Sequence, residues 1–205
     1  METMSEDPNI FHLTAVVYGS APGDPQDDDA QIEAFGELPR RVEVKFKARI
    51  PDTGLLQDQA RLDTWGQLYT HSVYADLKHS QDWRCAFCDK PARESSSSFA
   101  SWMHLRPPRM NIFVHLLCDA SGPCGEEARD AVLTLNASPP LRFGQTYPQA
   151  ASCVSCQSEE SAHSDLQRCS KCKLSRYCGV DCQRADWGRH KKVCNAITEV
   201  TWAWK

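Results

Sequence analysis

Seven cysteines and one histidine between Cys153 and Cys194 stand in four pairs: Cys153/Cys156, Cys169/Cys172, Cys178/Cys182 and His190/Cys194. Thiolate and imidazole are soft donors, and four of them close a tetrahedron around Zn²⁺. Eight donors within about forty residues are enough for two such sites. A C-x₂-C turn brings two sulfurs to one ion, as at Cys153/Cys156 and Cys169/Cys172. The other two pairs have three residues between partners, which places them one helical turn apart on one face. The last pair lies in DWGRHKKVC, which predicts a helix. Spacing alone leaves open whether the ions share ligands sequentially or in an interleaved order.

Four of the eleven cysteines remain: Cys85, Cys88, Cys118 and Cys124. CAFC at 85–88, then two strands, then two cysteines at a helix start predict a zinc knuckle, hairpin and helix. A third, four-cysteine zinc is expected there. His104 and His115 are alternative donors, but each falls inside a predicted strand, so packing or surface roles are expected for both. Cysteine density without a basic and then apolar leader points to metal in a reducing compartment rather than to disulfides. The odd cysteine total fits a fully paired framework poorly. The expected location is intracellular, in nucleus or cytoplasm. No apolar run approaches a membrane span, so no membrane partner is expected.

The pattern C-x₂-C…C-x₂-C-x₄-YC-x₃-CQ-x₃-W-x₂-HK-x₂-C closely resembles the MYND-type zinc finger. It is carried by Cys153, Cys156, Cys169, Cys172, Tyr177-Cys178, Cys182-Gln183, Trp187, His190-Lys191 and Cys194. The twelve residues between the first two pairs are a somewhat long spacer for that family. The resemblance implies interleaved ligands. Cys153, Cys156, Cys178 and Cys182 would hold one zinc, and Cys169, Cys172, His190 and Cys194 the other. Four protein ligands leave no open position, which argues for structural rather than catalytic metal. So short a module buries little core, so zinc should supply its folding energy.

MYND modules commonly bind proteins, some of them through proline-rich peptides. A shallow groove near Ser175, Tyr177, Gln183 and Trp187 is the expected partner surface. Tyr177 and Trp187 are also expected to pack on the metal centres, and Gln183, Lys173 and Arg176 to face outward. The stretch from Trp83 to Cys124 is similar to the region upstream of MYND fingers in some fungal proteins, a likeness that implies no activity.

The elements that must position these ligands read as an α+β chain of small zinc-stabilised modules. FHLTAVVYGS (11–20) predicts a strand, and 41–50 alternates, with Val42, Val44, Phe46, Ala48 and Ile50 on one face. Residues 55–78 predict one or two helices, weakened in the middle by Gly66. Residues 93–98 read as a polar loop tip, 99–105 and 111–117 as strands, and 125–135 as a helix. The expected organisation is an acidic strand/helix region (1–80), a knuckle module (81–135), a linker (136–150), the finger (151–196) and a C-terminal tail (197–205). The aspartates of DDD (27–29) read as solvated charges.

Residues 1–80 carry fourteen acidic and seven basic side chains, whereas 168–194 carry eight basic and two acidic ones. Seven bound thiolates and two Zn²⁺ would add −3 and leave the finger only mildly basic, so nucleic acid is not the expected partner. A non-enzymatic adaptor that recruits a protein, with transcriptional regulation as one setting, fits best. A SET-type lysine methyltransferase is disfavoured, because no Asn-His-x-Cys-type motif is present and residues 1–150 are short for that fold. The C-x₃-C and H-x₃-C endings depart from RING spacing, which disfavours a ubiquitin ligase.

Overall fold

The alternation at 41–50 forms the strand it predicts, and that strand lies inside a five-stranded sheet. A computed structural model describes residues 7, 9–21, 40–103, 105, 108–132 and 147–204. The sheet strands are β1 (Ile10–Tyr18), β2 (Arg40–Arg49), β3 (Glu94–Trp102), β4 (Arg109–Leu117) and β7 (Ile197–Trp204). Their order is β3-β4-β1-β2-β7. β1 and β4 pair in parallel, and every other pair in the sheet is antiparallel. The C-terminal half of the parallel pair is buried on both faces, Val16–Tyr18 of β1 beside Phe113–Leu117 of β4, and β4 there reads as a near-continuous apolar run.

Helix α1 (Gln59–Lys78) joins β2 to β3 and packs across one face of the sheet. Asp52 caps a short 3-10 turn, Thr53–Gln57, and Asp58 caps α1 by accepting from Arg61 N–H. Leu62, Gly66, Thr70, Val73, Asp76, Leu77 and Lys78 are the buried residues of α1. Trp65 meets Phe11 edge-on and Tyr69 meets Phe46 edge-on. The helix runs unbroken through Gly66. A Cβ there would come within 3.1 Å of Met110 Sδ, so the missing side chain lets helix and sheet approach closely.

Three stretches differ from expectation. Residues 94–98 are not a loop tip. They begin β3 and pair residue for residue with Phe113–Leu117 of β4. The serine run suits an edge strand, where one backbone side has no neighbour to pair with. Residues 197–204 are not a tail. They form β7 on the free side of β2, and Ile197, Val200 and Trp202 pack on the core. The sheet therefore draws strands from within residues 1–80, 81–135 and 197–205 alike, so those modular boundaries cut across one sheet. His104, the aspartates at 27–29 and the linker up to residue 146 lie outside the described residues.

The cysteine-rich end attaches directly to this sheet. A two-stranded ribbon, β5 (Gln167–Arg168) with β6 (Arg176–Tyr177), is followed by α3 (Val180–Ala196), and β7 starts at the next residue. No loop separates the finger's helix from the sheet. Between β4 and the finger lies α2 (Pro123–Val132). Among the described residues no helix is long and apolar enough to cross a membrane.

Candidate metal centres

Three four-donor groups come together: Cys85/Cys88/Cys118/Cys124, Cys153/Cys156/Cys178/Cys182 and Cys169/Cys172/His190/Cys194. In each, the ligand atoms all lie within 4.8 Å of one another. The two C-terminal groups are interleaved, in the arrangement that the family resemblance implied. A Zn–S distance of about 2.3 Å in a tetrahedron requires S···S edges of about 3.8 Å. Cys156 and Cys178 sulfurs lie 3.7 Å apart, Cys169 and Cys194 sulfurs 3.9 Å, and Cys172 Sγ lies 3.7 Å from His190 Nε2. Cys88 Sγ lies 3.6 Å from both Cys118 Sγ and Cys124 Sγ. The donor sets and their spacings fit Zn²⁺ at all three places, and all eleven cysteines are free of disulfides.

The interleaving follows from the backbone. Each C-x₂-C turn closes in the same way. Gln157 N–H donates to Cys153 O and Lys173 N–H to Cys169 O, with φ of 54° and 60° at these two residues. The left-handed conformation after each second cysteine folds the turn tightly enough to aim both sulfurs inward. The stretch leading into β6 then ties the two turns together. Ser175 O accepts from Cys169 N–H, and Arg176 O accepts from Val154 N–H. Cys178 and Cys182 are thereby carried back to the first turn, while α3 sends His190 and Cys194 to the second.

The thiols within one group do not ionise alike. Burial raises the Cys172 thiol, but the His190 hydrogen bond and the Ser175 and Leu174 amides outweigh it and bring it down to about 6. Cys194 is pushed up to about 12 by burial and by the neighbouring Cys172 and Cys169 charges. Crowded sulfurs that cannot all ionise together are a donor set that a divalent cation would satisfy.

His190 is wholly buried, with Nε2 toward the sulfurs and Nδ1 toward Asp76. Asp76 Oδ1 lies 2.8 Å from His190 Nδ1 and accepts from Ser175 Oγ at 2.5 Å. Arg189 donates to both Asp76 and Asp186, and Tyr177 OH donates to Asp186 Oδ2 at 2.9 Å. Burial raises the Asp76 carboxyl, but these partners outweigh it and hold it below its ordinary value. Asp76, Asp186 and His190 also lie close enough to suggest a cation site, but the Arg189 guanidinium already neutralises the carboxylates. The arrangement orients the histidine and fixes Nδ1 as the protonated nitrogen, leaving Nε2 to face a metal.

The third group has its own small core of Cys85, Leu117, Ala120 and Ala128, with Phe87 packed on it. Cys118 follows β4 directly, and Cys124 is the second residue of α2, which begins two residues earlier than expected. Gly125 is required there, because a Cβ would lie 1.9 Å from Ala120 O. His115 is not a donor. It is buried between Tyr18 and Phe87 rings, and burial pushes it down to about 4.

The predicted partner groove divides. Ser175 and Tyr177 are buried, and their hydroxyls point at Asp76 and Asp186. They support the metal centre and offer no surface, because the finger docks that side against α1. Arg176, also expected to face outward, is only 8% exposed. Trp187 remains 40% exposed, and its ring lies 6.0 Å from the His190 ring. Sequence reasoning missed Asp76. The available signal was an acid beside Val73 and Leu77 on the face of the helix that carries its apolar residues.

The family model described as the MYND finger matches residues 153–194. N-lysine methyltransferase SMYD2-A of Xenopus laevis is 46% identical over 39 residues, 19% of this chain and 9% of the relative. SMYD2-A of Danio rerio is 53% identical over 32 residues, 16% of this chain and 7% of the relative. Protein CBFA2T2 of Xenopus laevis is 34% identical over 67 residues, 33% of this chain and 9% of the relative. The chain thus spans less than a tenth of the length of these relatives. No solved structure matches it.

Proposed function

Because residues 153–194 are a MYND-type zinc finger set into a larger sheet, we propose that the chain is a non-enzymatic, zinc-organised adaptor that recruits a protein partner. The observation that supports this reading is the closure of every donor group. Each offers four ligands, so a tetrahedral zinc would be filled by protein and would have no position for water or substrate. Zinc there supplies folding energy and shape. The methyltransferase names among the relatives attach to proteins that this chain matches over the finger alone.

The recruiting surface in this reading is the outer face of α3. Val180 is 54% and Trp187 40% exposed, and with half-buried Gln183 they follow helical spacing along one face. A proline-rich segment is the partner chemistry that this face suits, because proline rings stack on an exposed indole at little entropic cost. A nuclear or cytoplasmic setting, including transcriptional regulation, accords with reduced thiols.

Affinity capture with the zinc-loaded chain, a Trp187→Ala variant and a Cys178→Ser variant tests the proposal. A proline-rich partner held by the parent chain and lost from both variants supports it. Equal capture by all three would refute the finger as the recruiting element. Binding of S-adenosylmethionine in a calorimeter would refute the non-enzymatic part.

A further inference from the structure

Arg176 leads two lives in this fold. Its backbone carbonyl holds the first C-x₂-C turn through Val154 N–H. Its side chain is nine-tenths buried, and Nη1 has no hydrogen-bond partner among the described residues. Arginine keeps its charge, and a buried guanidinium nitrogen without an acceptor is costly.

Arg176 lines a cleft of about 520 Å³ at the seam between the finger and the loop that follows α1. The neighbouring cations in the cleft are already occupied. Arg168 donates to the carbonyl oxygens of Ser80, Lys173 and Leu174 and to Gln81 Oε1, and its guanidinium lies 4.5 Å from the Trp202 ring centre. Arg84 donates to Asp89 O. Asp82 and Asp165 also line the cleft, and the Asp82 charge bears on Arg176 without bonding to Nη1.

We propose that this cleft binds a carboxylate, with Arg176 as the cation that receives it. A planar pair of oxygens matches the guanidinium fork, and a ligand carboxylate would supply the acceptor that Nη1 lacks. The two aspartates favour a monoanion over a phosphate dianion, which they would repel more strongly. The volume is that of a pocket for a small acid or a few peptide residues. Val180, Gln183 and Trp187 do not line it, so the site is separate from the α3 face proposed above.

The test uses the zinc-loaded full chain and follows the Arg176 Nε–H and Trp83 indole resonances by NMR. The probes are sodium acetate, Ac-Ala-Glu-Ala-NH₂, Ac-Ala-Ala-Ala-OH and the neutral control Ac-Ala-Gln-Ala-NH₂. Saturable shifts with the carboxylates and none with the control support the proposal. Stronger binding of the glutamate peptide identifies a side chain as the source, of the free-terminus peptide a chain end, and of acetate alone a small acid. Arg176→Met should weaken binding by about tenfold or more, with the zinc count unchanged by native mass spectrometry. Asp82→Asn should tighten it. In carboxylate-free buffer, Arg176→Met should melt no lower than the parent. No response to any carboxylate, an equal response in Arg176→Met, tighter binding of inorganic phosphate, or loss of zinc from that variant would each overturn the proposal.

Discussion

Asp76 Oδ1 lies 2.8 Å from His190 Nδ1, across 114 positions of sequence. The carboxylate is buried in the last turn of α1, and the imidazole belongs to the finger. One metal centre of the finger is therefore completed by a helix outside the segment that matches the MYND family. Replacing Asp76 with Asn keeps the volume and removes the charge that fixes Nδ1–H. Zinc at Cys169/Cys172/His190/Cys194 should bind about 10- to 100-fold more weakly. Competition with a graded chelator on the full chain measures this. One zinc should leave the variant earlier than it leaves the parent, with the others unaffected.

Acid should act through the buried histidines as well as through the thiols. His115 is held at about 4 by burial, against an ordinary value of 6.5. As pH falls, the unfolded chain takes up this proton first, so stability is lost from about pH 6.5 down to about pH 4. At pH 5 the loss is about 2 kcal/mol. His115→Phe keeps the stacking with Tyr18 and removes a buried Nδ1 that has no partner. Denaturant melts should show the variant at least as stable at pH 7 and ahead by about 2 kcal/mol at pH 5. An unchanged difference between the two pH values would contradict the assignment.

Trp202 is where the sheet meets the finger through a side chain. It packs on the core from β7, and Arg168 of the ribbon lies over its ring. Trp202→Ala should cost about 2–3 kcal/mol from lost burial and the lost cation–π contact. Arg168→Gln should cost less in Trp202→Ala than in the parent, which a double-mutant cycle on thermal unfolding reads directly.

The sequence carried the local chemistry further than the assembly. All twelve donors that the fold gathers into three groups were legible, because metal ligation needs particular residue types at short, regular spacing. The alternation at 42–50 gave β2, and the helical periodicity gave α1. The resemblance supplied the interleaving, and hydrogen bonds from the Ser175–Arg176 backbone to Cys169 and Val154 now account for it. Long-range placement was not legible. Ile197–Trp204 looks like a frayed end until β2 offers it an edge, and the serines at 95–98 look like a loop until β4 pairs with them. Ser175 read as surface, because nothing local says that α1 covers it, whereas Tyr177 packs beside His190 as one of its two readings expected. Arg176 was misplaced and Asp76 was missed for one reason. A charged residue is placed outside by default, and only the tertiary partner, or the lack of one, shows otherwise.

Zinc at three places, two in the finger and one built from Cys85, Cys88, Cys118 and Cys124, is countable by native mass spectrometry of the full chain purified without chelators. The parent should carry three zinc ions and Cys124→Ser two. Only two zinc ions on the parent at saturating zinc would remove the third centre.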